Sequence, residues 1–489
     1  MSTSHLALSR RTFLTSTAVL GGSVLAGASW RTAFAAQPLL RVETRTLEVN
    51  KKPAKVYAIL GANGRHGIVA REGDRFAGTV LNASDEPLQL HWHGQMFAPF
   101  EQDRARPGGG SLPVGQADTH DFLLTPGTHW MHSHSLSEQQ LLAAPMIARE
   151  RDAGDVQDVV IMLHDFAFRS PQELLAELGG STAHGGHDNS SAESRPMPAP
   201  GPGGMQHGPG MMHGMSGHSM RTPHANDVRY DAYLANDRTL DDPDVVTVEK
   251  GGRVRLRIIN GGTATAFFVS TPGLTSRCIA VDGAPCQSLA ATRYPMAQGQ
   301  RIDLLVEIPR DGGTFPILAQ VEGAMAQTGI ILTTAGAAVS KIPNLAAKEE
   351  TLLDLAFESQ LAAKTPLSAR KPDRSLMMML GEEPGYRWTI NGRIHGEHTP
   401  VEAKQGERIE ITFMNPTSMM HPMHLHGHHF QVVGIGGRRF AGPVRDTVIV
   451  PTHTPVTIAF DAKLKGAWFM HCHHLYHMAT GMMTEVKIS

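Results

Sequence analysis

The chain has 489 residues, with 44 Lys and Arg set against 46 Asp and Glu, a formal net charge of −2. So even a balance offers no electrostatic footing for nucleic acid. At roughly 150 residues per domain the length predicts two to four domains, and 50 Gly with 31 Pro suits a loop-rich β architecture.

Residues 1–36 read as an address. Ser9-Arg10-Arg11-Thr12-Phe13-Leu14 precedes an apolar run over 19–28 and a small-residue site, Ala33-Phe34-Ala35, and the pattern is similar to a twin-arginine export signal. That run is broken by Gly and Ser and is shorter than the roughly 20 residues of a membrane span. A periplasmic protein is therefore expected, exported by the Tat machinery, monomeric and without a stable membrane anchor.

One pattern then occurs three times. Glu72-Gly73-Asp74-Arg75 leads to Val80-Leu81-Asn82, Lys250-Gly251-Gly252-Arg253 to Ile258-Ile259-Asn260, and Gln405-Gly406-Glu407-Arg408 to Phe413-Met414-Asn415. Gly makes a turn, the alternation that follows is the period of a strand with one face buried, and Asn closes it. Three related β domains are expected, over 37–150, 151–345 and 346–489, as sandwiches or barrels. The clearest helical periodicity is the short piece from Pro171 to Leu178.

The repeat also aligns the histidines. Nine residues after the Asn come His91 and His424, followed by His93 and His426, where the middle copy has Val269 and Thr271. Five residues after Gly127 and Gly466 come His132 and His471, with His134 and His473 two further on, where the middle copy has Leu318 and Gln320. A site needing both sets must lie where the first and third domains meet, with the middle domain as spacer. His-x-His on a strand turns both rings to one face about 6 to 7 Å apart, which suits adjacent metals, and eight imidazoles suffice for a cluster. Cys472, between His471 and His473, points to the opposite face and so toward a different ion. With His421, His477 and Met482 it makes two His, one Cys and a weak Met, the ligand set of a blue-copper site. The two other cysteines, Cys278 and Cys286, flank a turn at Val281-Asp282-Gly283 and are either a disulfide or two buried thiols.

His91-Trp92-His93-Gly94, His132-Ser133-His134, His421-Pro422-Met423-His424-Leu425-His426-Gly427 and His471-Cys472-His473 with His477 and Met482 together resemble the signatures of the multicopper oxidase family. The resemblance covers the whole chain after the leader. It implies three cupredoxin domains and four copper ions: a type 2 copper on His91 and His424, a type 3 pair on His93, His132, His134, His426, His471 and His473, and a type 1 copper on His421, Cys472, His477 and axial Met482. It further implies dioxygen as electron acceptor. His428, His429, His474 and Met483 fall off the motif and are read as supporting or surface groups. Two departures stand out. Met478 follows His477 where many members have an acid, and Asp103 falls one place later than the family pattern. The proton relay for dioxygen reduction is accordingly sought among Asp103, Glu101 and water, while Arg445-Asp446-Thr447 looks like a structural feature.

Residues 181–224 change composition sharply, with six His and six Met among many Gly, Pro and Ser. Thioethers favour Cu(I) and imidazoles Cu(II), so Met205, Met211, Met212, His213, Met215, His218 and Met220 read as a copper collector inserted in the middle domain. Met419 matches the place where copper-oxidising relatives bind substrate Cu(I), although Thr417 stands in place of their preceding acid. The leading expectation is a cuprous oxidase of copper tolerance. A laccase acting on phenols is the alternative, and a non-enzymatic copper store a third.

Overall fold

The computed structural model describes residues 39–181 and 224–489. The leader and the collector residues Met205, Met211, Met212, His213, Met215, His218 and Met220 lie outside the described residues. Among those described, strands dominate, and no helix is long and apolar enough to cross a membrane.

Six sheets follow the chain in three consecutive pairs: two of four strands within Leu39–Arg149, then six and five strands within Gln157–Thr334, then seven and five within Arg374–Ile488. Apolar side chains fill the space inside each pair, led by Leu40, Phe76 and Phe122 in the first, Leu256, Phe267 and Leu332 in the second, and Ile411, Phe413 and Phe460 in the third. The all-β expectation is thereby met. The helix Pro171–Ser181 opens on proline, whose fixed φ suits a first helical turn. Its Leu174 and Leu178 join the third core.

The repeated Asn has a common task. In the third copy Asn415 Nδ2 donates to Met419 O at 2.7 Å and Val450 O at 2.9 Å, while its Oδ1 accepts from Thr417 N at 3.0 Å. Asn82 and Asn260 make the corresponding bonds, to Glu86 O and Leu112 O, and to Thr265 O and Met296 O. Each amide thus closes a turn just past its strand and ties it to a later segment. An amide can do both because it donates and accepts at once. This clamp sits nine residues before the first histidine of each ligand strand, so it sets where that strand begins.

One strand departs from its expected pattern. Arg253–Asn260 is buried on both faces after its first residue. Arg255 and Arg257 alternate with Leu256 and Ile258, but their guanidinium groups meet Glu150 and Asp303. The polar face is covered by a segment from the first sheet pair, and opposite charges at hydrogen-bonding distance make that burial tolerable.

Candidate metal centre

Four strands bring the eight histidines together. Leu90–His93 pairs antiparallel with Gly127–Ser133, placing His91 opposite His132, and His421–Leu425 pairs with Gly466–Cys472, placing His424 opposite His471. The two halves therefore present matching rungs, as the repeat requires. All eight rings are buried. His91 stacks on His426 with centroids 3.7 Å apart, and His93 on His424 at 3.8 Å, so each close pair joins the first repeat to the third.

The tautomers decide what this cluster can hold. His91, His132, His424, His426 and His471 each donate Nδ1–H to an oxygen: Asp103 Oδ2 at 2.7 Å, Ser133 O at 3.0 Å, Asp446 O at 2.8 Å, Ala105 O at 3.1 Å and Cys472 O at 2.9 Å. His93 is reversed, with Nε2 on Asp446 Oδ1 at 3.0 Å. Each ring thereby turns a bare nitrogen inward. These converge: His91 Nε2 lies 3.2 Å from His424 Nε2, His93 Nδ1 3.3 Å from His132 Nε2, and His471 Nε2 3.2 Å from His134 Nε2 and 3.0 Å from His426 Nε2. Lone pairs facing at that distance repel one another unless a cation sits among them, and outer bonds of this kind are how proteins aim metal-binding imidazoles. Burial, followed by repulsion from neighbouring rings, holds His134 and His426 well below the usual imidazole range, and burial lowers His471 to about 3. Those three rings are thus neutral and free to ligate a cation at any ordinary pH. Neither nitrogen of buried His473 has a hydrogen-bond partner among the described residues.

A second constellation lies on the other face of Gly466–Cys472. His421 Nδ1 and His477 Nδ1 are 3.2 Å apart, and Cys472 Sγ is 3.6 Å from the first and 3.7 Å from the second. Met482, fully buried, is tied to the same loop by its N–H to His477 O at 2.9 Å and by its carbonyl from Cys472 N at 3.0 Å. Burial pushes the Cys472 thiol upward, so a thiolate there needs a cation beside it. Two imidazoles, a thiol and a thioether suit copper.

The structure brings Asp103 to the site and leaves Glu101 exposed. Four contributors escaped the sequence reading. Asp446, expected to be structural, holds both His93 and His424 and is itself gripped by Arg301 Nη1 at 2.7 Å and by Arg301 Nη2. Glu138 Oε2 lies 3.1 Å from His132 Nδ1. The middle repeat does more than space the other two, because it supplies Arg301 and also Gly299, whose Cβ, were there one, would fall 2.5 Å from His473. Of these, only Asp446 lies in a stretch, Arg445-Asp446-Thr447, that the sequence reading had singled out. Among the residues read as supporting groups, His428 accepts from the backbone of Lys463 and Leu464, and His474 stacks on His477 at 3.7 Å. Met419 is buried in the turn that Thr417 and Asn415 organise. Cys278 and Cys286 face each other as thiols, with Sγ atoms 3.7 Å apart.

Comparison with known proteins agrees with this geometry. Three models described as multicopper oxidase match residues 41–152, 212–340 and 369–489. Multicopper oxidase MmcO of Mycobacterium tuberculosis is 30% identical over 429 residues, 86% of this chain and 80% of that one. The chain belongs to the multicopper oxidase family. This oxidase is also 24% identical to copper resistance protein A of Escherichia coli, over 86% of its own length and 87% of the relative's. Its fold matches the laccase from Botrytis aclada with a TM-score of 0.71 at 21% identity, covering 92% of this chain and 87% of that one. It is thus an oxidoreductase of three cupredoxin-like domains that uses copper, dioxygen and a reducing substrate. Membership sets aside the non-enzymatic copper store.

Proposed function

We propose that this oxidase converts Cu(I) to Cu(II) in copper tolerance, with four coppers on the residues aligned by the repeat. His91 and His424 hold the type 2 ion. His93, His132, His134, His426, His471 and His473 hold the type 3 pair, and His421, Cys472, His477 and Met482 the type 1 ion. The domains take the bounds 37–150, 151–345 and 346–489, and the protein is a Tat-exported periplasmic monomer.

When bound, copper supplies one-electron oxidation at the cysteine and four-electron reduction of dioxygen to water at the cluster. The chain's own residues arrange the transfer. Cys472 is joined by single peptide steps to His471 and His473, so an electron reaching its sulfur has a covalent route to the cluster. His421 is aimed by Thr417 Oγ1 on its Nε2 at 2.9 Å, leaving Nδ1 for the ion. Asp103, buried on His91 Nδ1 at 2.7 Å, is the group to hold and pass protons as dioxygen is reduced.

The observation that favours Cu(I) as donor is where the collector segment rejoins the fold. His224, its last residue, donates its backbone N–H to Ser418 O at 3.2 Å, in the turn between Thr417 and Met419. The chain that follows the collector segment therefore enters the described fold beside the electron-accepting site. A laccase acting on phenols is the second reading, favoured by relatives such as Laccase-4 of Thanatephorus cucumeris, 25% identical over 460 residues. Oxygen uptake with Cu(I), Fe(II) and a simple phenol, in wild type, Cys472→Ser and a deletion of 181–224, separates them. Loss of Cu(I) turnover alone on deletion supports the cuprous oxidase, whereas dominant phenol turnover indifferent to the deletion supports the laccase.

A further inference from the structure

Cys278 and Cys286 stand apart from both metal constellations, on a hairpin of the middle repeat formed by strands Ser276–Val281 and Ala284–Ala290. Asp282 and Gly283 turn it, with φ of +48° and +77°, the left-handed pair of a two-residue hairpin loop. The register of the two strands shifts between Cys278 and Ala280, and Cys286 pairs instead with Ala363. Bonds from Gln287 N to Ala362 O at 2.8 Å and from Lys364 N to Pro285 O at 3.1 Å clamp it there. The irregularity brings the two sulfurs into contact, Sγ to Sγ at 3.7 Å. Hydrogen-bonded strands lie about 4.8 Å apart, and disulfides join Cα atoms about 4.4 to 6.8 Å apart, so rotation of the two side chains suffices to close a bond.

The surroundings favour that reaction and connect it to the cluster. Buried Arg445 donates to Glu358 through Nε and Nη2, each at 2.8 Å, and its Nη1 lies 3.2 Å from Asp282 Oδ1. Contact with the Cys278 thiol, and behind it this guanidinium, hold the Cys286 thiol below its usual range against burial, whereas burial pushes Cys278 up. Cys278 is fully enclosed and Cys286 is 5% exposed, so Cys286 is the sulfur that ionises first and that an oxidant reaches first. At the hairpin tip, Asp282 Oδ1 accepts Arg301 N–H at 2.8 Å, and Oδ2 accepts Asp446 N–H and Thr447 N–H, both at 3.3 Å. Asp446 in turn aims His93 and His424.

We propose that Cys278 and Cys286 are a modification site, a thiol pair that Cu(II) oxidises to a disulfide which locks the hairpin supporting the cluster. This holds whichever donor the enzyme prefers. Each sulfur gives one electron to a Cu(II) ion and its proton to water. The two sulfurs join, and two Cu(I) ions and two protons are released. The new bond removes the hairpin's freedom to open, so Asp282 stays in place beneath Asp446. Excess copper thereby tightens the enzyme's own hold on copper.

The test takes full-length, copper-loaded enzyme, reduces it with a phosphine, removes the phosphine and adds Cu(II) under argon. After denaturation and alkylation, the peptide stretch that carries both cysteines should be lighter by two hydrogens and take up no alkylating reagent. Cu(I), read with a chelating dye, should exceed that from Cys286→Ala by two ions per disulfide. Cu(II)-treated wild type should then lose cluster copper to a chelator at least about threefold more slowly than Cu(II)-treated Cys286→Ala, and melt at a higher temperature. Both differences should vanish when the phosphine is present. Two alkylated thiols after Cu(II) treatment overturn the proposal. A disulfide that leaves copper release equal in wild type and variant overturns it too, because the bond would then lock nothing. Cys286→Ser serves where Cys286→Ala fails to fold, and the mass of wild type decides the bond without either.

Discussion

Asp446 Oδ1 meets His93 Nε2 at 3.0 Å while Arg301, from the middle domain, grips the same carboxylate. One aspartate thus orients a cluster ring and neutralises a fully buried guanidinium. Asp446→Asn should keep the shape but lose the charge, lowering copper affinity at the cluster by roughly 10- to 100-fold, the usual effect of losing such a partner. Asp446→Ala should in addition lower the melting temperature, because breaking a buried ion pair costs about 3 to 5 kcal/mol and Arg301 keeps only the longer 3.8 Å approach to Asp282. Copper stoichiometry after dialysis and a thermal melt read the two effects separately.

Cys472→Ser should remove the blue thiolate absorption and reduce donor-driven oxygen uptake to background. The eight histidines do not depend on the sulfur, so three of four coppers should remain on metal analysis. Loss of all copper instead would show that the two sites assemble as one.

Asp103→Asn should slow dioxygen reduction by roughly 100-fold, within the range for a positioned proton-transfer group. Bleaching of the blue band by a reductant should keep its wild-type rate, since Asp103 lies against His91 and not near Cys472. Equal slowing of both steps would place its effect outside proton transfer.

Gly299 has φ +79 and faces His473. Gly299→Ala combines a left-handed backbone with a Cβ 2.5 Å from that ring, so a destabilisation of about 1 to 3 kcal/mol is expected. Weakened magnetic coupling of the type 3 pair should accompany it, visible as a new paramagnetic signal.

Burial raises Glu322 from the ordinary carboxylate range to about 7, and Leu353 N–H, which bonds its Oε1 at 2.6 Å, offsets only part of that. In the fold this carboxyl prefers its proton, so its contribution is fully present below about pH 4.5 and is lost as pH rises through about 7. Wild type should lose about 3 kcal/mol across that window relative to Glu322→Gln, as a shift of this size implies. Denaturant melts at pH 4.5 and pH 8 measure the difference, and identical slopes would contradict it.

The sequence by itself determined the all-β class, the threefold repeat and the alignment of His91, His93, His132 and His134 with His424, His426, His471 and His473. These follow from local rules: a period of two along a strand, a Gly before it and an Asn after it. Cys472 between two histidines likewise needs only the alternation of a strand to serve two sites. Tertiary structure alone decided the partners. Asp446 lies against a ring far away in the chain, Glu138 turns back onto His132 from a helical turn just past the ligand strand, Arg301 reaches the cluster from a domain with no aligned ligands, and Asp227 meets His477 across the fold. Each is a single charged residue without periodicity, and what gives it a role is which imidazole nitrogen it faces. That is a matter of ångströms between strands in different sheets, which spacing along the chain does not encode.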